Sequence, residues 1–176
     1  PCHAAIDRHL FNFGWEYRTC IAHHSDTSVW KAVDLPHDFQ FEFPWDKSAG
    51  GARGFKSMGE CWYRKSFTVP SEWQGKQVIL DFDGLMYNGD VYVNGVKLYS
   101  ADYGYVGFEV DMSKYLNYGQ DNLVEVYSST GPSKGSRWYT GGGLFRNVYL
   151  ELRNQVHISR HGIYVTTPSV SVESSE

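Results

Sequence analysis

The residues from Val91 to Leu98 read Val-Tyr-Val-Asn-Gly-Val-Lys-Leu, and this stretch decides the fold class. Asn94 and Gly95 tolerate the positive φ angles of a type I′ turn, the usual turn of a two-residue β-hairpin. Apolar and polar residues alternate on both sides of the turn, as they do in strands that place one face against a core. The stretch therefore predicts an antiparallel hairpin.

Similar runs occur along most of the chain, each bounded by Gly, Pro or Asn and rich in aromatic and β-branched residues. We expect strands at Leu10–Arg18, Trp62–Val69, Val78–Phe82, Tyr105–Val110, Leu123–Tyr127, Phe145–Leu152 and His157–Val165. Residues 20–59 are predicted to be largely irregular, and helical turns are expected only at Ser71–Trp73 and Ser113–Leu116. Many short strands at intervals of about ten residues are typical of an all-β antiparallel sandwich or jelly roll.

The composition excludes two classes of partner. Among the 176 residues, 41% are hydrophobic and 20% are charged, and no apolar run approaches the ~20 residues that a membrane helix needs. The formal net charge of -4, with acids and bases interspersed, provides no basic stripe for a phosphate backbone. We therefore expect neither a membrane nor a nucleic acid as partner.

The three cysteines, Cys2, Cys20 and Cys61, are odd in number and show no Cys-x-x-Cys spacing. We predict three thiols, and neither a disulfide framework nor a zinc site. The chain starts at Pro1 without a visible signal peptide. The compartment stays open, with a periplasmic or secreted location favoured if a signal peptide has been removed.

No catalytic or cofactor motif stands out. His23 and His24 are adjacent and His37 precedes Asp38, but no ligand spacing joins these histidines. The sequence has no Walker motif, and no carboxylate pair for glycosidic hydrolysis can be chosen from spacing. We therefore expect no metal and no cofactor.

Carbohydrate recognition suits the aromatic content of the chain. The sequence has 6 Trp, 13 Tyr and 10 Phe, which make up 16% of its residues. Aromatic rings stack on the apolar faces of sugars, while polar side chains bind the hydroxyl groups. Aromatic residues of β-sandwiches also fill cores, so the composition alone does not decide between these roles.

Six motifs in a fixed order are more informative than any one of them. They are Phe11–Trp15, Trp30 with Val33–Asp38, Trp62–Phe67, Leu80–Gly84, Asp90–Gly95 and Ser136–Val148. From about Arg8 to Thr167 the chain resembles the sugar-binding domain that opens family 2 glycoside hydrolases of the β-galactosidase type. The segment Arg-Trp-Tyr-Thr-Gly-Gly-Gly-Leu-Phe-Arg at 137–146 is the most specific part of this resemblance.

The resemblance implies a galactose-binding-domain-like jelly roll over residues 1–167, with residues 168–176 as a linker. An immunoglobulin-like domain and a catalytic (β/α)₈ barrel with both catalytic glutamates would follow in the parent protein. The family's Asn-Glu catalytic dipeptide has no counterpart here, since no Asn is followed by Glu. We therefore expect that this chain alone has no hydrolase activity.

The resemblance also names candidate carbohydrate-binding residues. In the family, the loop before Arg-Trp-Tyr supplies an Asp or Asn to the sugar, and the matching positions here are near Ser129 and Thr130. Arg137, Trp138 and Arg146 match the motif, with either ligand or structural roles. His37 and Asp38, in the Leu-Pro-His-Asp motif, complete the candidate set, although a His-Asp pair also anchors loops by hydrogen bonding.

Three functions remain open at this point. The chain is an accessory domain that shapes a substrate cleft and packs on a barrel, an autonomous carbohydrate-binding module, or a structural sandwich that mediates homo-oligomer assembly. The motif forms favour a parent β-galactosidase acting on terminal β-galactosides, with β-glucuronidase and β-mannosidase as alternatives. Expected partners are a carbohydrate and the downstream domains of the same chain.

Overall fold

Two antiparallel sheets dominate the computed structural model, which describes residues 7–20, 29–131 and 138–173 and leaves the side chain of Cys20 undescribed. The strands are β1 (Asp7–Leu10), β2 (Trp15–Cys20), β3 (Lys31–Val33), β4 (Glu60–Thr68), β5 (Gln77–Phe82), β6 (Asn88–Val93), β7 (Val96–Ala101), β8 (Phe108–Asp111), β9 (Asp121–Ser129) and β10 (Val148–Arg153). One sheet has the order β1-β10-β5-β8 and the other β3-β2-β4-β9-β6-β7. The predicted all-β jelly-roll sandwich is confirmed.

The core lies between the two sheets because side chains alternate along each strand. In β4, Cys61 and Tyr63 are buried, and in the paired β9 the same holds for Val124 and Val126. The inward residues of β5 and β10 complete the core from the other sheet. Burial of this apolar surface is the main favourable contribution to folding.

The predicted hairpin is confirmed. β6 and β7 pair in antiparallel fashion on either side of Asn94 and Gly95, whose φ angles are 50° and 80°. The Asn94 amide group also accepts a hydrogen bond from Leu123 N at 2.9 Å and donates one to Asn122 Oδ1 at 2.8 Å. The turn therefore also anchors the neighbouring strand β9.

The prediction of one strand over Leu10–Arg18 was wrong, because this stretch forms the end of β1 and most of β2, which belong to different sheets. Between them the chain turns at Asn12–Gly14. Asn12 Oδ1 accepts a hydrogen bond from Val148 N at 2.9 Å, and Gly14 N donates one to Asp34 Oδ1 at 2.9 Å. These distant partners stop the strand and move the chain from one sheet to the other.

The predicted strand at His157–Val165 was also wrong, since this stretch has no strand pairing in the described chain. It turns at Ser159, whose carbonyl accepts a hydrogen bond from Gly162 N at 2.8 Å. The predicted strand at Phe145–Leu152 starts only at Val148. Alternating hydrophobicity predicts a strand only where a neighbouring edge offers hydrogen bonds.

The stretch 20–59 contains more structure than expected. In its described part, β3 is followed by three 3-10 helices, Phe39–Glu42, Lys47–Ala49 and Gly51–Arg53. A further 3-10 helix at Ser71–Trp73 confirms a predicted helical turn, and Tyr115 N donates to Met112 O at 2.9 Å in the other. Cys61 is a buried thiol, as predicted, whereas Cys2 lies outside the described residues.

Candidate functional site

Two distant segments meet at one end of the sandwich, the loop from Leu35 to Phe43 and the glycine run Gly141–Gly143. His37 N donates to Leu144 O at 2.8 Å and Phe39 N donates to Gly142 O at 3.3 Å. Two of the six motifs that suggested the family therefore form one structural unit.

The glycines permit this close approach. A Cβ atom on Gly142 would lie 2.6 Å from the ring of the fully buried Phe39, and one on Gly141 would lie 2.6 Å from Oδ2 of Asp38. Gly141 also has a φ angle of 75°, which side chains other than glycine rarely adopt. The glycine run thus serves backbone packing against the His37–Asp38 loop.

The carboxylate of Asp38 links the two segments. Its Oδ1 accepts hydrogen bonds from Gln40 N at 3.0 Å and from Gly142 N at 2.9 Å. Its Oδ2 accepts a hydrogen bond from the hydroxyl group of Tyr139. Burial and this hydrogen bond raise the pKa of Tyr139 above its ordinary value. Asp38 therefore caps a 3-10 helix and holds Tyr139 in place.

The imidazole of His37 lies in a chain of polar side chains. Nδ1 is 2.9 Å from the hydroxyl group of the buried Tyr63, and Nε2 is 3.0 Å from Oε1 of Glu42. Tyr17 donates a hydrogen bond to the other oxygen of Glu42. Burial alone would raise the pKa of Glu42, but the hydrogen bonds from Tyr17 and His37 outweigh it and lower the pKa. This chain fixes the orientation of His37.

Next to this unit lies a surface rich in aromatic rings, formed by Phe41, Trp45 and Trp138. Their exposed fractions are 73%, 73% and 65%. Beneath Phe41 and Trp45 lies the buried Lys56, whose Nζ atom is 5.6 Å and 4.4 Å from the two ring centroids. Nζ also donates hydrogen bonds to the carbonyl oxygens of Phe41 and Phe43. A buried cation therefore holds two rings outward, in contact with solvent.

The predicted site residues differ in their location and in their exposure to solvent. His37, Asp38 and Trp138 lie in or beside the unit described above. Ser129 and Thr130 are only 4% and 2% exposed, and Thr130 Oγ1 accepts a hydrogen bond from Gly59 N at 3.1 Å. Arg137 lies outside the described residues. Whether any of these residues contacts a sugar stays a prediction.

Arg146 has contacts within the protein, where its Nη1 donates to the carbonyl oxygens of Asp83 and Tyr105 at 3.2 and 3.3 Å. Sequence reasoning missed Tyr17, Glu42 and Lys56. Their roles depend on partners that are distant in the sequence, since Tyr17 and Glu42 are 25 positions apart and Lys56 bonds residues 13 and 15 positions away.

Within residues 7–20, 29–131 and 138–173, no three His, Cys, Asp or Glu side chains are grouped so that they could hold a metal ion. Over the same ranges, every helix is too short or too polar to cross a membrane.

Comparison with known proteins identifies the class of this sandwich. The sequence model described as glycosyl hydrolases family 2, sugar binding domain, matches residues 24–153. The chain therefore belongs to this family and is its sugar-binding domain. Its fold and its motif order agree with that assignment.

The relatives differ in the activity that their names give. A β-galactosidase from Bacteroides ovatus is 38% identical over 143 residues, which cover 80% of this chain and 17% of the relative. A β-glucuronidase from Formosa agariphila is 27% identical over 172 residues, which cover 85% of this chain and 18% of that enzyme. This chain thus spans less than a fifth of the length of these curated relatives.

Solved structures agree with the fold. A glycosyl hydrolase family 2 member from Bacteroides cellulosilyticus superposes with a TM-score of 0.81 at 34% identity, over 92% of this chain and 22% of that chain. A β-glycosidase from Bacteroides vulgatus gives a TM-score of 0.78 at 33% identity, over 87% and 21% of the two chains.

Proposed function

We propose that this chain is a non-catalytic domain that borders the substrate cleft of a longer glycoside hydrolase and packs on its catalytic barrel. The parent hydrolyses terminal β-galactosides, with β-glucuronides or β-mannosides as the alternative substrates. The family membership supports a glycosidase parent.

One observation supports the non-catalytic role. The four carboxylate oxygens of Asp38 and Glu42, the acidic residues of the site, all accept hydrogen bonds from groups of the same domain. Glycosidic hydrolysis needs one carboxylic acid to donate a proton and a second carboxylate to attack or activate water. The contacts of Asp38 and Glu42 join loops of this domain, which supports a positioning role for both carboxylates.

The first experiment incubates this chain with aryl β-galactoside, β-glucuronide and β-mannoside. We expect no release of the aryl group above background for any of them. Release well above background by the purified chain would contradict the non-catalytic role. The same assay on the full-length parent shows which of the three glycosides it hydrolyses.

A second experiment tests the position beside the cleft. Trp138 is exposed at the rim of the site, so Trp138→Ala in the parent should raise KM for its aryl glycoside about tenfold and leave kcat nearly unchanged. The control is Phe13→Ala, since Phe13 is 62% exposed in the turn between β1 and β2. Equal KM values for the two variants would argue against a substrate contact at Trp138.

The exposed rings of Phe41 and Trp45 favour a second candidate, an autonomous carbohydrate-binding module. Rings held outward by Lys56 need no reorganisation before they stack on a sugar, which reduces the entropy cost of binding. Calorimetry of this chain with galactose, lactose and plant oligosaccharides tests the candidate. Millimolar or tighter binding that Trp45→Ala abolishes would support it, and flat titrations would remove it.

Homo-oligomer assembly of the parent is a further part of the proposal. A hydrodynamic mass that shows only monomer, for both this chain and the parent, would remove it.

A further inference from the structure

A network of charged side chains covers the outer face of the four-stranded sheet. The antiparallel register aligns Arg8 with Glu151 and Asp81 with Glu109, and alternation places these side chains on the face away from the core. Arg153 lies two residues after Glu151 and therefore on the same face. Asp81, Glu151 and Arg153 are only 4–5% exposed.

The strands alone leave this network short of positive charge. Arg8 donates to Glu151 at 2.7 Å and to Asp81 at 3.0 Å, while Arg153 donates to both oxygens of Glu109 at 3.0 and 2.6 Å and to Glu151 Oε2 at 2.9 Å. These five residues comprise three carboxylates and two guanidinium groups. A buried carboxylate without sufficient pairing is costly, so a third cation would stabilise the network.

Arg160 supplies that cation from the segment after β10. Its Nη1 atom is 2.7 Å from Oδ1 of Asp81, and its Nε atom is 3.9 Å from Oε1 of Glu109. Gly107 leaves room for it, because a Cβ atom at that position would lie 2.9 Å from Nη2 of Arg160. The guanidinium therefore bridges carboxylates of two adjacent strands, β5 and β8.

The segment Asn154–Gly162 that carries Arg160 crosses this face, and we name it the strap. Near its start, Gln155 Nε2 donates to Gly75 O at 2.7 Å, and near its end Gly162 N donates to Ser159 O at 2.8 Å. A cavity of about 580 Å³ lies between the strap and the sheet. Each carboxylate in the wall of this cavity has an oxygen within 3.0 Å of a guanidinium nitrogen. Asp81 Oδ1 and Arg160 Nη1 interact by charge, without a hydrogen bond to either atom among the described residues.

The residues that follow the strap are more exposed than Arg160. Tyr164 and Val165 are 89% and 81% exposed, and the chain from 163 to 168 makes no strand pairing. Arg160, by comparison, has a side chain that is 29% exposed. Arg160 is therefore more buried than Tyr164 and Val165, which follow it.

We propose that Arg160 fastens the strap to the outer face of the four-stranded sheet, and thereby fixes the place and direction in which the polypeptide leaves the sandwich. This role depends on charges of the domain itself and not on the hydrolase activity of a parent. Removal of the guanidinium group should release the strap while the two sheets stay folded.

Limited proteolysis of this chain with thermolysin measures that release, because the protease cleaves before Ile and Val and acts on locally opened chain. The rate of cleavage before Ile158, within the strap, is divided by the rate before Val170, beyond it, with both products identified by mass spectrometry. We expect Arg160→Gln to raise this ratio about tenfold, since cleavage follows the population of the open form.

The matched control is Arg8→Gln, which removes a guanidinium group from the same network but none from the strap. Its ratio should stay within about twofold of that of the unmodified chain. Arg160→Lys, which retains a cation, should give an intermediate ratio. A urea transition for each variant, with a slope matching that of the unmodified chain, shows that the sheets remain folded. Equal ratios for all four proteins, or a larger rise in Arg8→Gln than in Arg160→Gln, would overturn the proposal.

Discussion

Tyr139 donates a hydrogen bond from its hydroxyl group to Oδ2 of Asp38, although 101 positions separate the two residues in the chain. The other oxygen of the same carboxylate accepts a hydrogen bond from Gly142 N at 2.9 Å. One acidic side chain thus holds both ends of the stretch 139–142, next to the exposed ring of Trp138. The position of that ring depends on Asp38.

Replacement of Asp38 by Ala should therefore destabilise the domain by about 2–4 kcal/mol, because one charged acceptor of three hydrogen bonds is lost. The free energy of unfolding in urea is the measurement. Asp102→Ala is the control, since Asp102 lies exposed after β7, and it should change stability by less than about 0.5 kcal/mol. A similar small loss in both variants would show that Asp38 does not link the two segments.

Gly142→Ala tests the packing between the same segments. The added Cβ would lie 2.6 Å from the ring of Phe39 and 2.8 Å from Cγ2 of Thr130, and both residues are buried. Overpacking of this kind costs about 1–3 kcal/mol, which thermal or urea unfolding can measure. Gly131→Ala is the control because its nearest atom, Ser129 Oγ, would be at an ordinary 3.6 Å. If Gly142→Ala is as stable as this control, the glycine run is not required for close packing.

Features of the fold that depend on adjacent residues could be predicted from the sequence, whereas features that depend on residues distant in the chain could not. The Asn94-Gly95 hairpin could be predicted because two adjacent residues determine the backbone angles of their own turn. The break at Asn12 could not, because it depends on a hydrogen bond from Val148, 136 positions away. The same holds for Asp38: its motif was recognised, but its partners Tyr139 and Gly142 are known only from the fold.

In the strap, the sequence pattern predicted a strand that the structure does not have. His157–Val165 has the hydrophobic alternation of a strand, yet no edge of either sheet pairs with it in the described chain. The residue that holds it is Arg160, and its carboxylate partners come from β5 and β8. Charge pairing across a sheet face leaves no periodic pattern in the sequence, so hydrophobic periodicity alone predicted the wrong structure.

We expect the free energy of unfolding to depend on pH in the alkaline range because of Lys65. Burial lowers the pKa of Lys65 to about 8, although Asp34 opposes this change. Its Nζ atom donates to Phe11 O at 3.1 Å and lies 3.5 Å from the centroid of the Phe11 ring. In an unfolded chain the pKa of a lysine is about 10.4. Between these two values, the unfolded chain retains a proton that the folded chain has released.

Stability rises with pH wherever the unfolded state binds more protons. The free energy of unfolding should therefore increase between pH 8 and 10, by up to about 2 kcal/mol relative to Lys65→Met, which lacks the titrating group. Urea unfolding at several pH values measures this difference. The control Lys114→Met removes an exposed lysine and should retain the increase. Parallel pH profiles for the unmodified chain and Lys65→Met would contradict the lowered pKa.

Lys56→Met tests whether a buried cation supports the exposed rings of Phe41 and Trp45. The substitution keeps much of the side-chain volume but leaves the carbonyl oxygens of Phe41 and Phe43 without the ammonium group that binds them. Each buried acceptor that loses its partner costs about 1–3 kcal/mol, so the loop that carries the rings should open more often. Amide hydrogen exchange in residues 41–56 should then become at least about tenfold faster, while exchange in β9 stays unchanged.

Lys47→Met is the matched control, because Lys47 lies exposed in the neighbouring 3-10 helix and its substitution should leave the exchange rates unaltered. If Lys56→Met and Lys47→Met exchange at the same rate in this loop, then the rings are held by other contacts, and the carbohydrate-binding candidate loses its argument from a rigid aromatic surface.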